Sequence, residues 1–119
     1  SEGEAGIIDM FTYTDSRWGD LCRFENFGHE LGLRPAFGMN MERICAITMK
    51  AVREHGLPYV EKIGWGGGNF EWFIQHQVGA APYLKTLELF DVSPDKCLPI
   101  YPECGNLASA SMPFALDWM

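Results

Sequence analysis

Two kinds of hydrophobic pattern alternate along the 119 residues of this chain, and the alternation constrains its fold more than any other feature. Runs rich in β-branched, aromatic or other apolar residues favour strands over 6–14, 70–75 and 97–101. Helical spacing or composition marks the segments 40–55, 79–90 and 104–117. The resulting order of strand, helix, strand, helix, strand and helix predicts an α/β fold.

The segment 40–55 is the best helix candidate in the chain. Its apolar residues recur at three- and four-residue intervals, and they are Met41, Ile44, Cys45 and Val52. We expect this helix to end at Gly56, since Pro58 cannot easily continue it. The next predicted helix carries Leu84 and Leu87 on one face.

Two stretches lack a regular pattern and predict loops. Residues 18–37 show little periodicity and contain Gly28, Gly32 and Pro35, so we expect a loop-rich excursion there. Residues 65–69 include three consecutive glycines, which give backbone freedom to the connection that follows the first helix.

Charge and composition exclude several classes of function. The formal net charge is -7 and the nine Lys and Arg residues are scattered, so neither nucleic acid nor an anionic membrane surface is an expected partner. No apolar stretch approaches the roughly 20 residues that span a bilayer, and the first residues lack the pattern of a signal peptide. With 47% hydrophobic residues the chain is expected to fold as one globular, cytoplasmic domain over residues 1–119.

The cysteines give no sign of a metal site. They stand at Cys22, Cys45, Cys97 and Cys104, without a C-x-x-C pair and without regular spacing to the three histidines. We therefore expect no metal and no cofactor. Disulfides stay open at this point, and buried thiols are the expected fate of most of the four.

Two polar residues stand where predicted strands pass into predicted helices. His76 closes an apolar run, and Asn106 follows Gly105 ahead of a stretch of small residues. Ligands of α/β proteins gather beyond the carboxyl ends of strands, so the two side chains are candidates for one site. Taken singly, a histidine at a strand end is usually structural, and an asparagine after glycine is usually a turn former.

The two motifs, Trp72-Phe-Ile-Gln-His-Gln77 and Cys104-Gly-Asn-Leu-Ala-Ser-Ala-Ser-Met-Pro113, resemble the His-Gln and Gly-Asn signatures of the ketoacyl-acyl-carrier-protein synthase III family. Their order and their spacing of about thirty residues are also similar to the family's. The resemblance covers most of the chain and implies the C-terminal half of a thiolase-like fold. It implies a mixed sheet flanked by helices, with the closing strands of that fold expected outside this sequence.

The resemblance also implies an activity. Members of this family carry an acyl group on a nucleophilic Cys, while His and Asn donate hydrogen bonds to the carbonyl of a malonyl thioester. Carried over to this chain, the catalytic residues are His76 and Asn106, and the reaction is acyl transfer or decarboxylative Claisen condensation. The implied partners are acyl-carrier-protein or coenzyme A thioesters in fatty acid or polyketide biosynthesis, and a homo- or hetero-oligomer is expected.

The sequence departs from the family pattern in ways that leave a second hypothesis open. None of the four cysteines has the context of the family's nucleophile, and Cys104 stands where a His is common. After His-Gln the chain has Val78-Gly-Ala-Ala81 in place of the family's Ala-Asn and nearby Arg. The chain is therefore either a catalytic half that needs a Cys-bearing half, or a non-catalytic half-domain that serves as an interaction or dimerisation module.

Overall fold

The computed structural model describes residues 6–25 and 36–119. The chain divides into two compact units, Ser1–Thr48 and Met49–Met119. None of the helices among the described residues is long and apolar enough to cross a bilayer.

The first unit begins with an irregular segment. Residues 6–15 form neither helix nor strand, and Ile7 and Ile8 are more than four-fifths exposed. The strand predicted over 6–14 is therefore wrong, because a strand needs a backbone ladder and the sheet among the described residues consists of two later segments. A 3-10 turn over Ser16–Leu21 follows, capped by Asp15. Hydrogen bonds from the Arg17 guanidinium lower the pKa of Asp15 to about 2.

A small antiparallel sheet follows this turn. It consists of β1, Cys22–Glu25, and β2, Ala36–Met39, with Cys22 opposite Met39 in the register. The loop predicted over 18–37 thus contains regular secondary structure at both of its ends, and residues 26–35 lie outside the described residues. Sequence reasoning overlooked the strands because four-residue elements leave almost no periodicity to read.

The first helix is confirmed, but its predicted end is wrong. Helix α1 covers Met41–Ala51, and the Asn40 side chain accepts a hydrogen bond from the Arg43 amide as its cap. The chain then continues through a π turn over Val52–Gly56 into α2, Leu57–Lys62. Pro58 has no amide hydrogen to donate to a helical hydrogen bond. It is tolerated because it lies in the first turn of α2, directly after the π turn.

The second unit has its core around helix α3, Ala80–Phe90, which confirms the helix predicted over 79–90. Its buried members are Tyr83, Leu87, Val92 and Cys97, and the aromatic residues packed against them are Phe70, Phe73, Phe90 and Tyr101. Tyr83 and Leu87 are four residues apart and share the buried face, whereas Leu84 is 57% exposed. The prediction that Leu84 and Leu87 share one face of the helix is therefore wrong, because Tyr83 takes the buried position beside Leu87.

The strands predicted over 70–75 and 97–101 are absent from the described residues. The two regions do approach each other, since the Phe73 amide donates to the Lys96 carbonyl at 2.8 Å. Further links come from the Lys96 side chain, whose Nζ donates to the carbonyls of Gly68 and Phe70 at 3.1 and 2.9 Å. The Lys96 side chain thus occupies the Phe70 carbonyl, which a ladder would need, and the predicted mixed sheet does not form within the described residues.

Two helices complete the second unit. The short α4 covers Tyr101–Cys104 and overlaps the end of a predicted strand. After a 3-10 turn over Ala108–Ala110, helix α5 covers Ser111–Trp118. Pro113 lies in its first turn, where a missing amide hydrogen costs little, as the sequence predicted.

Gly68 is a position at which only glycine fits. Its φ is +68°, and a Cβ there would lie 2.5 Å from the Asp91 carbonyl oxygen. Gly67 has a similar φ of +64° but open space around it.

Gly67→Ala is expected to lower the free energy of unfolding by about 1 kcal/mol from the left-handed backbone alone. Gly68→Ala adds the clash and is expected to cost about 3 kcal/mol or more. Urea unfolding of both variants checks this, and equal losses would contradict it.

Tyr83 is expected to make the stability of the second unit change with pH in the alkaline range. Burial raises the pKa of its hydroxyl above the usual 10.0, and the interaction with the Cys97 side chain adds to the increase. The unfolded chain therefore ionises first, so the free energy of unfolding is expected to fall as pH rises above 10.

The variant Tyr83→Phe isolates this effect. It is expected to lose the alkaline slope and to cost about 1 kcal/mol at neutral pH, because the Cys97 carbonyl loses its hydroxyl donor. Tyr101→Phe removes a phenol from the same cluster and should keep the slope. Thermal unfolding across alkaline pH measures both, and an unchanged slope in Tyr83→Phe would contradict the assignment.

Candidate active site

His76 lies on an irregular segment of the second unit, between the aromatic residues of the core and helix α3. Burial alternates along this segment, since Gln75 and Gln77 are buried while His76 is exposed. The alternation is that of an extended chain, in which successive side chains point to opposite sides. The imidazole is thus directed outward by the burial of its two neighbours.

Gln77 fixes the backbone beside the imidazole. The side chain is 1% exposed, and its Nε2 donates to the Leu98 carbonyl at 2.8 Å. Its Oε1 accepts from the backbone amides of Ile100 and Tyr101 at 2.8 and 3.2 Å. One glutamine therefore satisfies three backbone groups of the segment that leads into α4.

Gln75 makes weaker contacts on the other side of His76. Its Nε2 donates to the Tyr83 carbonyl at 3.3 Å and lies 3.7 Å from the Cys97 sulfur. Sequence reasoning did not select either glutamine. The available signal was two amide side chains within an apolar run, because buried amides require hydrogen-bond partners.

Asn106 lies on the turn that follows α4. The turn begins at Gly105 with φ +66°, and Asn106 Oδ1 accepts from the Ala108 amide at 2.9 Å. The side chain is exposed, and within the described residues its hydrogen bonding is confined to Oδ1. The amide nitrogen Nδ2 is therefore left to donate to a ligand.

Ser111 connects the two candidate residues. It is fully buried, and its Oγ lies 2.7 Å from His76 Nδ1 and donates to the Ala108 carbonyl at 2.8 Å. The Ala108 amide is held in turn by Asn106. His76 and Asn106 are thus joined by a continuous hydrogen-bonded path through Ser111 and Ala108, although they are distant in sequence.

Ala108 carries backbone strain at the centre of this path. Its φ is 50°, in the left-handed region that residues with a Cβ rarely adopt. Such strain persists only where surrounding contacts impose it, and here both polar backbone groups of Ala108 are engaged. Strained residues cluster at functional sites, which supports the choice of this region.

Among the residues that the structure describes, no cysteine is hydrogen-bonded to His76 as a nucleophile would be. Cys104 ends α4 two residues before Asn106 and is partly buried, while Cys97 belongs to the core. Cys22 and Cys45 lie in β1 and α1 of the first unit, and all four thiols are free. Across residues 6–25 and 36–119, His, Cys, Asp and Glu side chains form no group of three or more able to hold a metal ion.

Comparison with known proteins identifies the family. The C-terminal region of 3-oxoacyl-acyl-carrier-protein (ACP) synthase III matches residues 60–119. The chain belongs to this family. The matched part of this synthase III family member contains His76, Asn106 and the Ser111 that lies between them.

Curated relatives agree with the assignment. The family member is 24% identical over 117 residues to the beta-ketoacyl-acyl-carrier-protein synthase III of Cereibacter sphaeroides. This alignment covers 98% of the chain and 36% of the relative. It is 29% identical over 126 residues to the enzyme of the same name from Shewanella oneidensis, covering 96% of this chain and 37% of the relative. The chain therefore spans little more than a third of the length of these relatives.

The fold is shared with solved structures of synthase III enzymes. The structure of the 3-oxoacyl-(acyl carrier protein) synthase III from Pseudomonas aeruginosa aligns with a TM-score of 0.74 at 17% identity. The alignment covers 89% of this chain and 32% of that structure. The synthase III family member thus shares the fold of part of this structure, while the mixed sheet expected from the sequence is not formed within its described residues.

Gln77 is expected to contribute more to stability than Gln75. Gln77→Leu leaves three backbone groups without their partner and is expected to lower the free energy of unfolding by roughly 3 kcal/mol or more. Gln75→Leu removes two longer contacts and is expected to cost about 1 kcal/mol. Urea unfolding compares the pair, and a larger loss for Gln75→Leu would refute this ranking.

Proposed function

We propose that this chain is the C-terminal catalytic half of a synthase III-like condensing enzyme and that it works with a half that carries the nucleophilic Cys. The family assignment supports this proposal. The observation that carries it is the hydrogen-bonded path from His76 through Ser111 and Ala108 to Asn106. Along this path an imidazole and a carboxamide belong to one connected network, and both residues are exposed.

The proposed reaction is a decarboxylative Claisen condensation. The bond between the malonyl carboxylate and the α-carbon breaks, CO2 leaves, and the electron pair forms an enolate of the thioester. The α-carbon then forms a bond to the acyl carbon held on the Cys of the other half, and the Cys thiolate leaves. Negative charge appears on the thioester oxygen during the first step, so hydrogen-bond donors placed at that oxygen lower the barrier.

Asn106 and His76 are suited to that oxygen for different reasons. Asn106 Oδ1 is anchored on the Ala108 amide, so Nδ2 is presented in a fixed direction. His76 is anchored through Nδ1 on the buried Ser111, so its Nε2 faces away from the protein. Donors that are already oriented need no reorganisation when charge develops, which is the source of their catalytic effect.

The substrates in this proposal are thioesters of acyl-carrier protein or coenzyme A. The names of the relatives support the carrier protein, and the family assignment supports a place in fatty acid or polyketide biosynthesis. A cytoplasmic location is proposed with it. Docking of the carrier is expected to differ from that of typical members, because Val78-Gly-Ala-Ala81 replaces their Ala-Asn and Arg. Association into a homo- or hetero-oligomer is part of the same proposal.

The second candidate function is that of a non-catalytic interaction or dimerisation module. Large apolar side chains exposed on α5 favour it, and they are Met112, Leu116 and Trp118. Apolar groups concentrated on one helix are typical of a surface that another protein covers. Both candidate functions require association, so only an activity measurement separates them.

The test is a decarboxylation assay. The chain is mixed with a separately expressed Cys-bearing half of a synthase III enzyme, and CO2 release from a malonyl thioester is measured. His76→Ala and Asn106→Ala are each expected to lower the rate by about 10²- to 10³-fold, because each removes one group at the developing oxyanion.

His55→Ala and Asn69→Ala are the matched controls, since they remove the same residue types elsewhere in the second unit. Both controls are expected to keep the parent rate. Complex formation without any decarboxylation would reject the catalytic proposal and favour the interaction module. Decarboxylation that survives both His76→Ala and Asn106→Ala would remove these residues from the mechanism.

A further inference from the structure

The hydroxyl of Ser111 lies between a backbone carbonyl and the ring of His76. Its Oγ is 2.8 Å from the Ala108 carbonyl oxygen and 2.7 Å from His76 Nδ1. The Ser111 side chain itself is 0% exposed, so both of its contacts are made from inside the protein. These two contacts together decide where the imidazole carries its hydrogen.

A hydroxyl has one hydrogen to donate, and a carbonyl oxygen only accepts. When the Ser111 hydroxyl donates to Ala108, the hydrogen of the contact with His76 must come from Nδ1. The opposite arrangement, in which the hydroxyl donates to Nδ1, forms one hydrogen bond from these groups instead of two. The neutral ring is therefore favoured with its hydrogen on Nδ1.

The surrounding backbone holds Ser111 in this orientation. The Ala108 carbonyl accepts from the Ser111 amide as well as from its hydroxyl, which closes the 3-10 turn ahead of α5. The amide of Ala108 is fixed by Asn106, and its φ of 50° reflects this double restraint. The acceptor of the hydroxyl is thus a rigid group.

We infer that Ser111 is a positioning residue that holds neutral His76 in the Nδ1–H tautomer and leaves Nε2 as a hydrogen-bond acceptor facing outward. In this arrangement Nε2 donates only when the ring is protonated. Within the proposed function, the donor at the thioester oxygen is then an imidazolium, and a charged donor stabilises an enolate more strongly than a neutral one. That catalytic consequence rests on the proposed function, whereas the tautomer does not.

The test is NMR spectroscopy of the chain labelled with 15N in its histidine rings. Long-range 1H–15N correlations are recorded at a pH where the rings are neutral, and loss of signals in His76→Ala identifies those of His76. Wild-type Nδ1 is expected to have the shift of a protonated nitrogen and Nε2 that of an unprotonated one. Ser111→Ala is expected to move the population toward the Nε2–H tautomer, and the exposed control Ser109→Ala is expected to leave it unchanged.

Two results would overturn the inference. One is a wild-type ring protonated on Nε2, and the other is a folded Ser111→Ala variant that keeps the wild-type tautomer. Should Ser111→Ala fail to fold, the wild-type spectrum alone decides, because it reports the tautomer directly. The readout needs no catalysis, so an expected tautomer combined with a failed decarboxylation assay would reject the proposed function and leave the role of Ser111 intact.

Discussion

The hydrogen bonds of Gln77 are the interaction on which the candidate site depends. One buried amide binds a carbonyl at position 98 and the amides at positions 100 and 101. It therefore joins the segment that carries His76 to the segment that leads through α4 to Asn106. A backbone ladder would supply the same connection in a sheet, but here a single side chain does so. Because the glutamine is adjacent to His76, stability and site geometry depend on the same residue.

The part of the candidate site around Asn106 depends on a strained turn at Ala108, which neighbouring hydrogen bonds hold in place. Asn106 holds the amide of Ala108, and Ser111 holds its carbonyl, so the turn keeps a φ that alanine seldom adopts. Backbone strain of this kind costs of order 1–3 kcal/mol and is retained only where neighbouring contacts impose it. The contacts that impose it here come from the candidate catalytic residue Asn106 and from Ser111, which contacts the other candidate, His76. Positioning of the imidazole and strain in the turn are therefore parts of one network.

Sequence reasoning succeeded where the signal is local and failed where it depends on partners. The helices over Met41–Ala51, Ala80–Phe90 and Ser111–Trp118 were predicted because periodicity and proline position are properties of a short segment. The strands over 70–75 and 97–101 were not formed in the described residues, because apolar runs do not say whether a ladder will pair them. His76 and Asn106 were selected from the ends of patterns and from family resemblance. Gln77, Ala108 and Ser111 were missed, since burial, strain and hydrogen-bond partners appear only in three dimensions.

Exposure of the two candidate side chains sets a condition on the proposed chemistry. His76 and Asn106 are both exposed, while the groups that orient them, Gln77 and Ser111, are buried. A hydrogen-bond donor open to water stabilises charge weakly, because solvent competes for it and screens it. Oriented donors reach their full effect only in a site from which water is excluded. The proposed condensation therefore requires a cover over His76 and Asn106, and the relatives, of which this chain spans little more than a third, have the additional length to supply it. In the proposed function, the same half that brings the nucleophile also makes the environment in which the imidazole and the carboxamide act.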